Sequence, residues 1–112
     1  MSQFKAELLI TAGTPPKPRS QHSATIKGRY LVVFGGRSNE IYREEMKNVA
    51  FNDWHLLDLE TREWCEIALF GEEMVESRWG HSMVTVGEKV VIFGGMNMKR
   101  YCEAVIHEVS FD

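Results

Sequence analysis

The chain has 112 residues, room for one modest hydrophobic core, and its 44% apolar and 26% charged content places it among ordinary globular sequences and outside the disordered class. Its longest apolar runs, such as Leu31–Phe34 and Val90–Phe93, fall far short of the roughly 18–20 residues that a membrane-crossing helix needs. A formal charge of −3 supplies no basic field for a phosphate backbone, so nucleic acid is not an expected partner.

In chain order, Phe4, Ala6, Leu8 and Ile10 alternate with Lys5 and Glu7, a period of two that predicts a strand over 4–10. The first fourteen residues lack the continuous apolar stretch of a secretory signal. From Arg19 onward the chain repeats itself. Arg19, His22 and Ser23 recur as Arg78, His81 and Ser82, at an offset of 59 residues. In the same register Gly28 matches Gly87, Leu31-Val32-Val33 matches Val90-Val91-Ile92, and Phe34-Gly35-Gly36 matches Phe93-Gly94-Gly95. Beyond the diglycine the match shifts, so that Leu57-Asp58-Leu59 faces Val109-Ser110-Phe111, and the first copy carries about seven extra residues within 37–53. Insertions in repeat architectures map to loops, so the segment from Arg37 to Phe51 is expected to be a loop.

Each copy reads as short strands. Residues 22–26 and 81–86 lead through turns at Gly28 and Gly87 into the buried runs 30–34 and 89–93. In the first copy Trp54–Leu59 gives a third strand, and a reversal over 58–62 leads into a fourth, Glu63–Leu69, carrying Trp64 and Ile67. The result is a four-stranded antiparallel meander, with 4–10 as the outer strand of a preceding unit.

The arrangement Pro18-Arg19-x-x-His22-Ser23, Val32-Val33-Phe34-Gly35-Gly36, Asn52-Asp53, Leu57-Asp58-Leu59, Thr61 and Trp64 resembles the kelch repeat. The second copy departs from the pattern after Gly95, where Glu103-Ala104 stands in place of Asn52-Asp53. The resemblance implies an all-β fold of kelch-type β-propeller blades, about two of them, in an incomplete propeller. It divides the chain into an outer strand and link (1–17), a first repeat (18–76) and a truncated second repeat (77–112). A ring needs about four to eight blades, so the missing ones are expected from a longer polypeptide or from self-association. Trp64 is expected to bury a large aromatic surface between blades.

The chemistry-bearing residues are most simply structural. Adjacent residues on a strand point to opposite faces, so His22-Ser23 and His81-Ser82 cannot act as base and nucleophile together, and their repetition points to hydrogen bonds within the blade. Neither diglycine continues as a phosphate-binding loop. The four histidines, with Cys65 and Cys102, lack familiar metal-ligand spacing, and Tyr101-Cys102 comes with no copper-ligand set. Glu72, Glu73 and Glu76 suit a solvated loop, and Trp79 fits core packing as well as a partner contact. No catalytic residue, cofactor or metal is expected. Without a CxxC pair or a dense cysteine framework, reduced thiols point to a cytoplasmic or nuclear setting.

In a meander, the connection between strands two and three and the link to the next blade share one end of the sheet. That end gathers the insertion, the links 11–19 and 70–78, and the shorter loop 96–102. Arg37, Tyr42, Arg43 and Glu44 on the insertion, with Lys99, Arg100 and Tyr101 on the facing loop, form the expected partner-binding set, since Arg and Tyr are enriched at protein hot spots. The expected function is a protein-interaction module of the scaffold or substrate-receptor kind. The alternative is part of a propeller enzyme acting on a carbohydrate or small metabolite.

Overall fold

The computed structural model describes residues 5–42, 45–67, 75–102 and 106–110, with side chains of 40–42, 45–48, 106 and 110 left aside. Among them every regular element is a strand: β1 (Ser23–Lys27), β2 (Tyr30–Phe34), β3 (Arg37–Tyr42), β4 (Glu45–Ala50), β5 (Trp54–Asp58), β6 (Glu63–Ile67), β7 (Ser82–Val86), β8 (Lys89–Phe93) and β9 (Ile106–Ser110). Strands β1-β2-β5-β6 form one antiparallel sheet and β7-β8-β9 a second, in the order of two kelch blades.

Local chemistry sets the turns. Lys27 pairs with Tyr30 and Val86 with Lys89, leaving two-residue connections whose first residue, Gly28 or Gly87, sits at φ 59°, as a tight hairpin turn requires. Between β5 and β6 the Asp58 carboxylate accepts the backbone N–H groups of Glu60 and Thr61 and holds that reversal in place.

The segment expected as a loop is itself a hairpin. Strands β3 and β4 pair from Arg37 opposite Ala50 to Tyr42 opposite Glu45, as a separate two-stranded sheet between β2 and β5. It is rooted by reciprocal Ser20–Arg37 backbone bonds of 2.9 and 2.8 Å and by Phe51 N–H donating to the Gly36 carbonyl. Gly36 lies at φ 101°, and a Cβ there would meet the Ser20 carbonyl oxygen at 2.8 Å, so only glycine fits where the hairpin leaves the blade.

The core lies between the blades. Phe34 and Trp54, cross-strand neighbours, stack with ring centroids 4.3 Å apart and pack with Val32, Val75, Val90, Ile92 and Val109. Strand β1 runs beside β7, where Thr25 and Thr85 share a 3.0 Å hydroxyl bond and Ser23 Oγ–H donates to the His81 carbonyl at 2.7 Å. The inter-blade aromatic is therefore Trp54. Trp64 is only half-buried on outer strand β6, because one of its flanks faces no blade.

Two further expectations change. Lys5–Ile10 is not in a strand and is exposed: with no sheet edge alongside, its backbone joins no ladder. The chain first docks at Ala12, which pairs in parallel with Glu63 on the edge of its own blade, so the start of the link 11–19 lies along β6 and not at the insertion end. The register of β9, with Val109 opposite Val90 and His107 opposite Ile92, also makes Ala104-Val105 the counterpart of Asn52-Asp53, one residue later than Glu103-Ala104; all three lie outside the described residues.

Candidate protein-interaction face

At the end of the sheets opposite the Gly28 and Gly87 turns, the face is built on two repeated arginines. Arg19, with a nearly buried side chain, donates to the Gly35 carbonyl at 3.2 Å and forks onto the Asp53 carboxylate at 2.6 and 2.9 Å, while its guanidinium lies 3.9 Å from the centre of the Phe51 ring. Arg78, fully buried, donates to the Gly94 carbonyl at 3.0 Å, the same contact one repeat later. Each arginine thus pins the first glycine of its diglycine and fixes the exit of the loop that follows. Where the first blade offers Asp53, the second brings His107, whose Nε2 lies 3.4 Å from the Arg78 guanidinium.

His55 donates from Nε2 to Asp53 Oδ2 at 2.6 Å. Burial alone would raise the Asp53 carboxyl, but hydrogen bonds from Arg19 and His55 outweigh it and bring the group down to about 2. Ligand atoms of Asp53, His55 and Glu66 lie within 4.8 Å of one another. Both Asp53 oxygens are already bound to a guanidinium that a cation would have to displace, so the cluster reads as the brace of the hairpin root.

The two His-Ser pairs separate by position. His81 donates from Nε2 to the Phe34 carbonyl at 3.0 Å, across the blade junction and not within one blade, and its ring meets Phe34 edge-on at 5.3 Å. Burial, helped by the Arg78 charge and opposed by the Phe34 bond, holds the His81 imidazole down to about 4. Its counterpart His22 is exposed.

Over this base stands the loop Met96–Cys102, one of the two parts of the expected partner-binding set. Asn97, itself buried, accepts the N–H groups of Lys99 and Arg100 on Oδ1 and donates from Nδ2 to the Ser77 carbonyl. Met96 pairs with both Trp79 and Tyr101, and Cys102 N–H donates to the Gly95 carbonyl at 2.7 Å. This tight framework pushes Met98 and Tyr101 outward, Tyr101 with 69% of its surface exposed. Arg100 donates twice to Glu76 Oε1, at 2.6 and 2.9 Å, which lowers the Glu76 carboxyl.

Arg37 lies over the Trp79 indole at 5.6 Å, and Tyr101 borders a shallow depression of about 270 Å³ floored by the same indole. The structure thus brings Arg37 and Tyr101 to one aromatic platform and places Lys99 and Arg100 beside them. Trp79 itself is buried, 7% exposed, so of the two roles that the sequence left open it takes the core one and lies beneath the face. Tyr42 sits at the outer end of β3, with its side chain not described, and Arg43 and Glu44 lie outside the described residues. A second groove of about 270 Å³ separates the hairpin root, at Ala50 and Asn52, from Met98 and Lys99.

A family model, the KLHDC2/KLHL20/DRC7 Kelch-repeats domain, matches residues 1–111. The chain belongs to the kelch-repeat family. It is 39% identical over 94 residues to Acyl-CoA-binding domain-containing protein 5 of Arabidopsis thaliana, covering 83% of this chain and 13% of that protein. It is also 39% identical over 87 residues to Kelch domain-containing protein 2 of Bos taurus, covering 77% of this chain and 19% of that protein. The chain therefore spans less than a fifth of the length of these relatives. Among solved structures it resembles that of YjhT, a kelch propeller, with a TM-score of 0.58 and 26% identity over 71% of this chain and 22% of that one. Kelch-repeat domains are generally protein-interaction modules.

Proposed function

We propose that this kelch chain holds a partner protein on the insertion end of its blades, in a cytoplasmic or nuclear setting where the free thiols Cys65 and Cys102 stay reduced. The observation that carries the reading is the braced loop Met96–Cys102, which presents Met98, Lys99, Arg100 and Tyr101 beside the hairpin inserted in the first copy. A side chain held outward on a rigid loop loses little freedom on binding, so its burial translates into affinity. In this assignment Arg37, Tyr42, Arg43 and Glu44 contact the partner from one side of the groove, and Lys99, Arg100 and Tyr101 from the other.

The assignment is tested with peptides selected from a random displayed library on the immobilised chain. Binding of the selected peptides should fall about tenfold or more on Tyr101→Ala, as for an exposed aromatic anchor, and stay unchanged on Glu88→Ala at the opposite end. Equal loss from both substitutions, or from neither, would reject the assignment. Within the His-Ser pairs, His81 donates to the Phe34 carbonyl and Ser23 to the His81 carbonyl, which supports a structural role for these two residues.

A further inference from the structure

The inserted hairpin β3–β4 is a two-stranded sheet of its own, with six residues in each strand and a length of about 20 Å. Its register runs without a bulge from Arg37 opposite Ala50 to Tyr42 opposite Glu45, and no proline lies in 37–50. Bulges and prolines are two ways in which a sheet blunts an open edge, and a covering segment is a third. The first blade uses cover, since Ala12 pairs along its outermost strand, β6. Along β4 the described residues provide none of the three.

The pairing fixes which backbone groups face outward. Phe51 N–H donates inward to the Gly36 carbonyl, so by antiparallel alternation the next pair, Arg37 with Ala50, turns its N–H and C=O groups away from the ladder. Arg37 bears this out, because both of its backbone groups bond to Ser20. Two residues on, Asn39 and Asn48 stand opposite each other and face outward in the same way. The foot of the β3 edge is thus occupied by Ser20, whereas Asn48 and Ala50 on the β4 edge have no ladder partner among the described residues.

The foot of β4 is also open in space. Ala50 and Asn52 line both the groove of about 270 Å³ beside Met98 and Lys99 and a wider depression of about 450 Å³ against the link at Thr14, Pro15 and Lys17. Both walls of each belong to this chain, and the hairpin leaves the end of the sheets and not a flank. Within the groove Glu76 is neutralised by Arg100, while Lys99 is exposed and enters no ion pair among the described residues.

We propose that the free edge of β4 takes an extended segment of the partner protein as a third strand, with an acidic side chain of that segment turned to Lys99. Backbone groups of the segment pair with those of Asn48 and Ala50 and supply the affinity, and Lys99 selects the charge. A two-stranded ribbon is marginal in water by itself, so the added strand also orders the hairpin that holds it. This rests on the function proposed above and names the form in which the partner binds.

Asn39 and Asn48 supply a matched test, the same residue on opposite edges of one pair. Proline at either position removes an outward N–H and leaves the bonds between β3 and β4 in place. Binding of the peptides selected on the native chain should fall about tenfold or more on Asn48→Pro, from a lost backbone bond and an obstructed edge, and change less than about twofold on Asn39→Pro. Lys99→Glu should weaken the same peptides. N-methylation of single amides along a selected peptide should block binding at alternate residues, because only every second amide faces β4. This series uses the native chain, so it decides the matter even where Asn48→Pro disturbs the hairpin. Peptides that lose binding on Tyr101→Ala yet bind the Asn48→Pro chain as well as the native one would overturn the added strand and leave the interaction face standing. Equal loss from both prolines combined with an N-methyl series without alternation would also overturn it, as would self-association of the chain that Asn48→Pro abolishes. Peptides indifferent to Tyr101→Ala would reject the face and this proposal with it.

Discussion

Phe34 and Phe93 hold the same place in the two copies, each ending a run of apolar residues and preceding two glycines, yet Phe34 is fully buried and Phe93 is 48% exposed. The same contrast runs along the strands: Val32 is buried and its counterpart Val91 only half-buried, while Val90 and Ile92, which face the first blade, are buried completely. Near-identical sequences thus reach different burial according to whether a neighbour covers them. A kelch strand is written for two covered faces, and its near-continuous apolar run states a demand that a single blade cannot meet.

The largest expected effect separates the two phenylalanines. Phe34→Ala should cost about 3–5 kcal/mol of unfolding free energy, the usual penalty for deleting a buried aromatic, and Trp54→Ala, which removes its stacking partner, a similar amount. Phe93→Ala should cost less than about 1 kcal/mol, because half of that residue's surface already meets water. Trp64→Ala should fall between them. Urea denaturation of the four variants measures the ranking, and equal losses at Phe34 and Phe93 would break the comparison.

The glycines sharpen it. Gly35 and Gly94 share a positive φ, 74° and 77°, so alanine at either position carries a backbone penalty of about 1–2 kcal/mol. Only at Gly35 does the added Cβ strike another blade, at 2.6 Å from His81. The Gly35→Ala loss should therefore exceed the Gly94→Ala loss by a margin that thermal melts resolve.

Much of this contrast was legible in the sequence and part was not. The repeat revealed β1, β2, β7 and β8, because an apolar run bounded by turn glycines and copied in register cannot be mistaken for a loop, while β5 and β6 were legible from the apolar residues on either side of the reversal over 58–62. The hairpin β3–β4 escaped notice because Arg37-Ser38-Asn39-Glu40 and Glu45-Met46-Lys47-Asn48 show no alternation of apolar and polar residues; their strands are stated by pairing alone. The His81 bond was placed inside a blade because a repeat shows that a residue recurs and not which copy it touches. Trp54 was missed as the inter-blade aromatic because its depth comes from lying opposite Phe34, a matter of register, whereas Trp64 drew attention as the motif residue. Of the expected partner-binding residues, the structure places Arg37, Lys99, Arg100 and Tyr101 at the same end of the sheets. The platform beneath them, Trp79, emerged only from the three-dimensional packing.

A smaller effect follows from protonation at the junction. The His81 imidazole titrates at about 4 in the folded chain against about 6.5 when unfolded, so the unfolded state takes up the proton first as pH falls. The stability that depends on neutral His81 should be complete above pH 6.5 and decline between 6.5 and 4, with a further decline as Asp53 is protonated towards its value of about 2. In the window from 6.5 to 4 the His81→Gln variant should show a flatter stability profile than the native chain in urea titrations. Unchanged slopes would mean that His81 does not seal the junction.

The smallest effect is expected away from the blade junction. Tyr42→Ala with Arg43→Ala should change unfolding free energy by less than about 0.5 kcal/mol while weakening the binding of the selected peptides. A larger destabilisation would make the tip of the inserted segment structural.

The measurement that bears most directly on the contrast between the two strands is amide hydrogen exchange of β2 against β8. Both strands are paired on both edges by ladder bonds, so backbone pairing alone predicts similar protection. Cover on both faces should make β2 open only with global unfolding, while β8, with its Phe93 face bare, opens locally and exchanges faster. Slower exchange in β2 than in β8 is the predicted result; equal protection of the two strands would contradict it.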